Sequence, residues 1–363
     1  MSVDPSPRPA PLNRGERGNS GNSGAPAVSV VIVNYNGARL LEDCLGSLKA
    51  QTYRDFEIIF VDNGSRDDSV ERARALLPGI DILALEKNAG FAGGNNAGFA
   101  AARGTLIVPI NNDTQCAPDF LAELVRAAEA HPKAGMFAPK ILNFYERESI
   151  DSVGGLMLSA DGIGMGRGRG ERDAGQYDAL TEVLMPSGCA ALYRREMLAE
   201  TGAFAADFFA YCEDADLGLR GVWAGWGALS VPRAVIYHKY SASSSSFSAF
   251  KLMLVERNHY FLALKNFTFG MLLALPIWTL SRYAVMGWVL LSGTGKGRAA
   301  AGEQGGEKVT ALLGAFLRGH WQALCGMPRQ WRGRTRLKRL SGAEFRGKVK
   351  RHRVSLRKIF LSE

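Results

Sequence analysis

Residues 28–37 read VSVVIVNYNG. The first six form a β-branched run of strand length, and NYNG is a turn. The strand does not alternate apolar with charged residues, so both of its faces are covered. Behind the turn, 38–50 carries Leu40, Leu41, Cys44, Leu45 and Leu48 at helical spacing. The same strand, turn and helix recur three more times. FEIIFV runs into DNGS and a polar helix over about 66–77. DILALE runs into a Gly/Asn-rich loop and an alanine-rich helix ending near Arg103. TLIVPI runs into NNDT, after which Pro118 opens a further helix. Apolar strands alternating with helices predict a Rossmann-like α/β fold with a mostly parallel central sheet and helices on both faces.

In such sheets ligands bind beyond the carboxyl ends of the strands, so the strand-to-helix turns are the places to look. They are 34–37, 62–65, 88–96 and 111–114, and all four fall on one edge. Asn, Gly and Asp are ordinary turn formers, but four such turns together, two with a carboxylate, point to a ligand site. The glycines of GFAGGNNAG (Gly90, Gly93, Gly94, Gly98) do not fit Gly-x-Gly-x-x-Gly and follow the third strand. A nicotinamide-dependent oxidoreductase is therefore disfavoured. Glycines at a helix start can still let backbone amides approach a phosphate or ribose.

Further on, FFAYCEDADLGLRGVW sets Glu213, Asp214 and Asp216 at the head of a predicted helix. Acids there are favoured by the helix dipole alone. Phe208, Phe209 and Tyr211 would also desolvate the site, which raises a carboxylate toward useful base strength and makes Asp214 the candidate general base. His238 ends the next predicted strand. Its position suits either a structural role or a further ligand to a divalent ion on the same edge.

These motifs, with PSGCAALYRREML and the closing YHKYSASS, resemble in order and spacing the inverting family 2 glycosyltransferases of the GT-A fold, rhamnosyltransferase-like branch. The resemblance covers about 28–246 and continues loosely into RNHYFLALKN. It implies sugar transfer with inversion from a nucleotide-diphosphate donor to a saccharide or lipid-linked saccharide, assisted by Mg²⁺ or Mn²⁺, in cell-surface polysaccharide synthesis. It assigns Tyr35 and Asp62 to the nucleotide base, Asn88, Gly90, Gly94 and Asn95 to the ribose and diphosphate, and Asn34, Asn36, Phe91 and Asn112 to the same donor pocket. Asp113 falls on the second aspartate of the Asp-x-Asp metal motif, with His238 as a further ligand. Glu213 and Asp214 fall on the catalytic Glu-Asp pair, and Ser187, Gly188, Asp216 and Arg220 on an acceptor or donor pocket. One position departs from the pattern: Asn111 stands where the first aspartate of Asp-x-Asp would be, leaving one charge in that turn. A nucleotide-sugar-binding protein without catalysis is the alternative. The Gly-rich 154–170 reads either as a mobile insertion or as a lid that brings Arg167 or Arg169 to the diphosphate.

Composition sets the remaining bounds. The five cysteines are scattered with no Cys-x-x-Cys pair, which fits a reducing compartment and neither a disulfide framework nor a zinc site. The net charge of +9 is concentrated at the end: 329–363 holds 13 Lys and Arg against two acids. The expected organisation is a disordered 1–27 without the apolar core of a secretory signal, a catalytic domain over 28–250, an apolar and amphipathic helical region over 251–326, and a basic tail over 327–363. Pro276 and Ser281-Arg282 interrupt the apolar 267–291, so an interfacial or re-entrant helical hairpin is expected there, with a true span left open. An amphipathic 308–325 followed by the basic tail suits two-signal attachment to the anionic cytoplasmic face of a membrane. Nucleic acid is not an expected partner, because the tail has few aromatics and no recognition fold.

Overall fold

The computed structural model describes residues 24–239, 248–292 and 309–361. Apart from its last four residues, the segment expected to be disordered lies outside them, as do 240–244 of the closing motif. In chain order come β1 (Val28–Asn34), α1 (Leu41–Lys49), β2 (Phe56–Asp62), α2 (Ser69–Leu76), β3 (Asp81–Ala84), α3 (Gly90–Ala101), β4 (Leu106–Asn111), β5 (Thr114–Cys116) and α4 (Phe120–Ala130). The second half continues with β6 (Ala134–Asn143), β7 (Ile150–Val153), β8 (Leu156–Leu158), β9 (Gly164–Gly166), β10 (Glu182–Val183), β11 (Leu192–Arg194), α5 (Arg195–Thr201), α6 (Glu213–Trp223) and β12 (Gly227–His238). Among the described residues five helices follow: α7 (Ala249–Asn266), α8 (Phe269–Ser292), α9 (Val309–Arg332), α10 (Gly342–Arg351) and α11 (Leu356–Leu361).

The main sheet runs β10-β12-β6-β11-β4-β1-β2-β3, with β5 beside β12 and β7 beside β6. β3, β2, β1 and β4 are mutually parallel. β11 then enters antiparallel between β4 and β6, so the sheet is mixed, and one edge carries the carboxyl ends of the parallel strands. Both faces are covered as the unalternated strands require. Val28, Val30 and Ile32 of β1 pack with Leu41, Leu45 and Leu48 of α1 and with Phe120 and Leu124 of α4. Val31, with Val61 of β2, faces the other way toward Ala92 and Phe99 of α3. Each fully buried side chain of this size contributes roughly 1.5–3 kcal/mol.

The C-terminal region departs from two expectations. The apolar stretch is one continuous helix, α8, and not a hairpin; Pro276 lies inside it. Proline removes one backbone donor, a local loss that packing can offset. Here Arg282 bolts the helix to the body by ion pairs with Glu256 (2.7 Å) and Asp161 (2.5 Å). The basic segment, in turn, is folded against the catalytic unit. Ser341 and Glu344 form a capping box at the start of α10. Phe345 is fully buried and stacks on Trp223 of α6, with centroids 4.0 Å apart and planes at 6°. Arg339 pairs with Glu200 at 3.0 Å, and Lys348 with Glu182.

Candidate functional site

Strand register builds the site. In the parallel pairing Asn34 lies opposite Asp62, and Val33 opposite Asn111, so the turns after β1, β2 and β4 end level with one another. Side chains tie these turns together. The amide of Asn112 donates to Asn34 Oδ1 at 2.7 Å, and that of Asn34 donates to Ser65 Oγ at 3.3 Å. Ser65 Oγ also accepts from the backbone N–H of Asn36, whose own side-chain oxygen accepts from the N–H of Arg66. Asn34, Asn36 and Asn112 therefore stand at the expected edge, where these bonds help hold its shape. Gly37 is required beside them: a Cβ there would meet the Asn112 amide at 2.4 Å. Tyr35 is half-exposed at the rim, and Asp62 is buried with Oδ1 lacking any hydrogen-bond partner.

The segment read as a Gly/Asn-rich loop is helical from Gly90 onward. Asn88 Oδ1 accepts from Asn63 and from the N–H of Gly90 at the start of α3. Gly90 has φ +76°, and a Cβ would lie 2.5 Å from the carbonyl of Phe209. Phe91 packs on Phe204 at 5.9 Å, and Asn95 donates its amide to the carbonyl of Phe91. A Cβ on Gly94 would collide with Val33, and one on Gly98 with Val31. Gly94 thus packs α3 closely on the sheet, and Phe91, Gly94 and Asn95 lie on a helix and not in the loop expected from the sequence. Gly and Asn are poor helix formers, and close helix-to-sheet approach outweighs that propensity here.

A second corner joins Asn111, Asp113 and His238. β12 pairs with β5 so that His238 lies opposite Thr114, which brings the imidazole beside Asp113. His238 Nε2 is 3.4 Å from Asp113 Oδ1, and its Nδ1 is 2.7 Å from Asp151 Oδ2. Asp113 is buried, and both its Oδ1 and Asn111 Oδ1 lack a hydrogen-bond partner. Two buried unpaired oxygens near an imidazole nitrogen suit a hard divalent cation. Among the described residues no cluster of three His, Cys, Asp or Glu that could hold a metal ion is formed. Asp151 was not singled out from the sequence. It lies 87 residues from His238 and orients that ring as an outer carboxylate does. Burial alone would raise the Asp151 carboxyl; His238 and the Arg169 guanidinium, 3.3 Å away, outweigh it and hold the group below its ordinary value. Arg169 is thereby drawn to Asp151, while Arg167 donates to the carbonyl of Val153 and lies over Tyr177. Both lie around the β8–β9 hairpin, which occupies part of the Gly-rich 154–170.

The third corner is the head of α6. Asp214 keeps an edge at the surface and accepts from the N–H of Gly188 at 2.7 Å. Glu213 is buried beside it with Oε2 unpartnered. Burial raises the Asp214 carboxyl against the pull of the Gly188 and Ala215 amides. Burial, and then the charge of Asp214, push Glu213 well above the carboxylate range. Ser187 sits next to Gly188, its Oγ accepting from the N–H of Cys189 at 3.3 Å. Asp216 and Arg220 turn away: Arg220 donates to Asp216 and to the carbonyls of Thr201, Gly202 and Ala203, and Lys265 and Asn266 complete the shell of Asp216. Burial would raise Asp216, but Arg220 and Lys265 hold it low. These two residues are structural clamps, a correction to their expected pocket role.

The approach to α6 is strained. Phe209, Tyr211 and Cys212 all have positive φ (63°, 70° and 67°), a conformation that costs a non-glycine residue about 1–2 kcal/mol. Asn258 of α7 holds it, donating its amide to the carbonyls of Phe208, Ala210 and Tyr211 at 2.8–2.9 Å. Arg257 donates to Asp207 and Phe208. Neither was singled out, although RNHYFLALKN was noted as a continuation of the resemblance.

The sequence pattern of the family described as Glycosyl transferase family 2 matches residues 29–202, ending before α6. An N-acetylglucosaminyl-diphospho-decaprenol L-rhamnosyltransferase of Mycobacterium tuberculosis is 30% identical over 253 residues, 64% of this chain and 82% of that protein. An uncharacterised glycosyltransferase of Bacillus subtilis is 28% identical over 226 residues, 61% of this chain and 77% of that one. A mannosyltransferase from Pyrobaculum calidifontis, solved with GDP-Man and Mn2+, superposes with a TM-score of 0.51 over 87% of this chain and 90% of that one, at 18% identity.

Proposed function

The chain belongs to glycosyl transferase family 2, and from that premise we propose that it transfers an L-rhamnosyl or similar sugar from a nucleoside diphosphate to a polyprenyl-diphosphate-linked saccharide, with inversion, in building a cell-surface polysaccharide at the cytoplasmic side of a membrane. The observation that carries the reading is a set of buried oxygens at the strand ends and the head of α6: Asp62 Oδ1, Asn111 Oδ1 and Glu213 Oε2 lack hydrogen-bond partners, and Asp113 Oδ1 has the His238 ring nitrogen 3.4 Å away. Buried acceptors are rarely left unpaired, which supports a ligand or cation supplying partners at this edge. The relative's acceptor is a lipid-linked saccharide, which supports that acceptor class here.

In this reading Tyr35 offers its ring to the nucleotide base and Asp62 accepts from it. Asp113, the Asn111 amide oxygen and His238 would hold Mg²⁺ or Mn²⁺, with Asp151 fixing the His238 ring. A bound divalent ion would supply Lewis-acid compensation for the charge that develops on the leaving diphosphate. Asp214 accepts the acceptor hydroxyl's proton as its oxygen bonds to the anomeric carbon and the bond to the diphosphate breaks, so the configuration inverts. Gly188 N–H steadies the carboxylate for that task. Glu213, raised by burial and by Asp214, stays protonated and spares the site a second charge.

A thermal-shift panel of UDP, dTDP and GDP with and without Mn²⁺, followed by turnover of the matching rhamnose donor, tests the reading. Metal-dependent stabilisation by one nucleotide is expected; none by any of the three would overturn it.

A further inference from the structure

The exposed side of α8 is an apolar row: Phe269, Leu273, Ile277, Leu280, Trp288 and Leu291 are each more than half exposed. At 3.6 residues per turn they fall within about 100° of arc. Arg282, Leu275 and Thr279 are buried on the opposite side. Arg282 is held by Glu256 of α7 and by Asp161 of the β8–β9 turn, so α8 is fastened to the catalytic body at that point. By length and composition α8 could cross a membrane, but crossing would drag these partners with it. Lipid can therefore meet the row side-on. The neighbouring α9, joined to α8 through the Tyr283 hydroxyl and His320 (2.8 Å), carries a second exposed row in Leu313, Leu317, Trp321 and Leu324.

Between the exposed and buried sides of α8 runs a groove of about 350 Å³ closed on its far wall by α10. Met271, Ala274 and Trp278 form its floor, and Arg346, Lys350 and Arg353 its rim, with no acid in the lining. The Arg353 guanidinium lies 4.3 Å from the centre of the Trp278 ring. Four other cations of this segment pair with carboxylates: Arg329 with Asp207, Arg339 with Glu200, Lys348 with Glu182 and Lys358 with Glu171. Among the described residues, none of the three rim cations has a carboxylate partner. A positive rim over an apolar floor, beside an apolar helix face, matches an anionic head joined to acyl chains.

We propose that this groove takes the phosphate headgroup of an anionic phospholipid while the exposed rows of α8 and α9 lie in the plane of the monolayer. The proposal rests on the reading that the enzyme serves a lipid-linked acceptor, and specifies how it would sit on the membrane. It differs from attachment by diffuse basic charge, because it needs one groove and not the net charge.

The test is sedimentation of the full chain with vesicles of phosphatidylcholine alone or with 30% phosphatidylglycerol as the probe. The triple variant Arg346→Gln, Lys350→Gln, Arg353→Gln should lose about 100-fold in binding to the anionic vesicles. A charge-matched control on the catalytic helices and loops, Lys49→Gln, Arg74→Gln, Lys133→Gln, should change it less than about threefold. Ala274→Trp adds apolar surface yet fills the groove, and should lose about tenfold. Circular dichroism and Tm like the parent's keep misfolding apart from lost binding. Equal losses in the two triple variants, unchanged binding by Ala274→Trp, or equal binding to neutral vesicles would overturn the proposal. Stabilisation by inorganic phosphate without vesicle binding would also overturn it, marking a soluble-phosphate site. No arm requires sugar transfer, so failure here is separable from failure of the proposed activity.

Discussion

The backbone N–H of Gly188 points at Asp214 and donates to its Oδ2 at 2.7 Å. That bond crosses from the segment before β11 to the first turn of α6, and a Cβ on Gly188 would lie 3.2 Å from the same oxygen, a tight contact that would require the carboxylate to shift. The glycine thus leaves the carboxylate both oriented and reachable. Asp214→Asn should lower kcat by roughly 10²–10⁴ while the Kd for the nucleoside diphosphate stays within about twofold. Turnover and calorimetric titration of the one variant check both halves. Retained turnover would remove Asp214 from the role of base.

Glu213 yields a prediction in pH. Its folded value is raised, first by burial and then by Asp214, so between about pH 4.3 and that value the native state binds more protons than the unfolded chain. Stability contributed by this residue therefore falls as pH rises through the window and stays lowered above it. Glu213→Gln should raise Tm at pH 8 and leave it unchanged at pH 4. Scanning calorimetry at the two values decides it, and an equal gain at both would show that the change acts through packing.

The metal corner separates ligand from support. Asp113→Ala should abolish Mn²⁺-dependent stabilisation of the nucleotide complex, whereas Asp151→Asn should weaken Mn²⁺ by about 10–100-fold through the freed His238 ring. Asn111→Asp adds a charge to the buried pair of oxygens and should tighten Mn²⁺ binding. Metal titrations at fixed nucleotide measure all three, and an Asp151 variant with unchanged affinity would remove it as the orienting group.

The sheet was legible because β-branched runs alternate with helices, and in a parallel arrangement that alone places the turns on one edge. The corners were legible only where a motif marked them. Asp151 and Asn258 were missed because each acts on a residue far away in sequence, His238 and the loop at 208–211, through contacts that no local pattern records. The start of α3 was misread for a related reason. Its glycines look like loop until Val31 and Val33 show what has to fit against them.

Asn258 should matter to both stability and rate. Removing its amide leaves the carbonyls of Phe208, Ala210 and Tyr211 without this donor, at about 1 kcal/mol for each hydrogen bond lost. It also frees a loop whose positive φ values are otherwise held. Asn258→Ala should destabilise by about 2–3 kcal/mol in urea and lower kcat more than it raises KM, because Glu213 and Asp214 begin where the loop ends. A stability loss with kcat unchanged would confine Asn258 to the scaffold.

The basic C-terminal segment changes meaning once Phe345 is seen on Trp223. From sequence, the charges of 329–363 dominate and the apolar pair Phe345 and Val349, four apart on α10, is diluted among them. In the fold that pair is buried against α6, the helix that carries Asp214, and the indole Nε1 of Trp223 donates to the carbonyl of Asn266 at its other side. Deleting the segment would therefore strip cover from the catalytic helix as well as remove charge, and vesicle release by such a truncation could not be assigned to electrostatics. Phe345→Ala isolates the packing. It should cost about 3–5 kcal/mol, as large aromatic truncations in cores do, while leaving the groove cations Arg346, Lys350 and Arg353 in place. Urea unfolding that showed a loss under 1 kcal/mol would mean α10 is not held by this stack, and the capping box and the Arg339 and Lys348 ion pairs would then have to carry it.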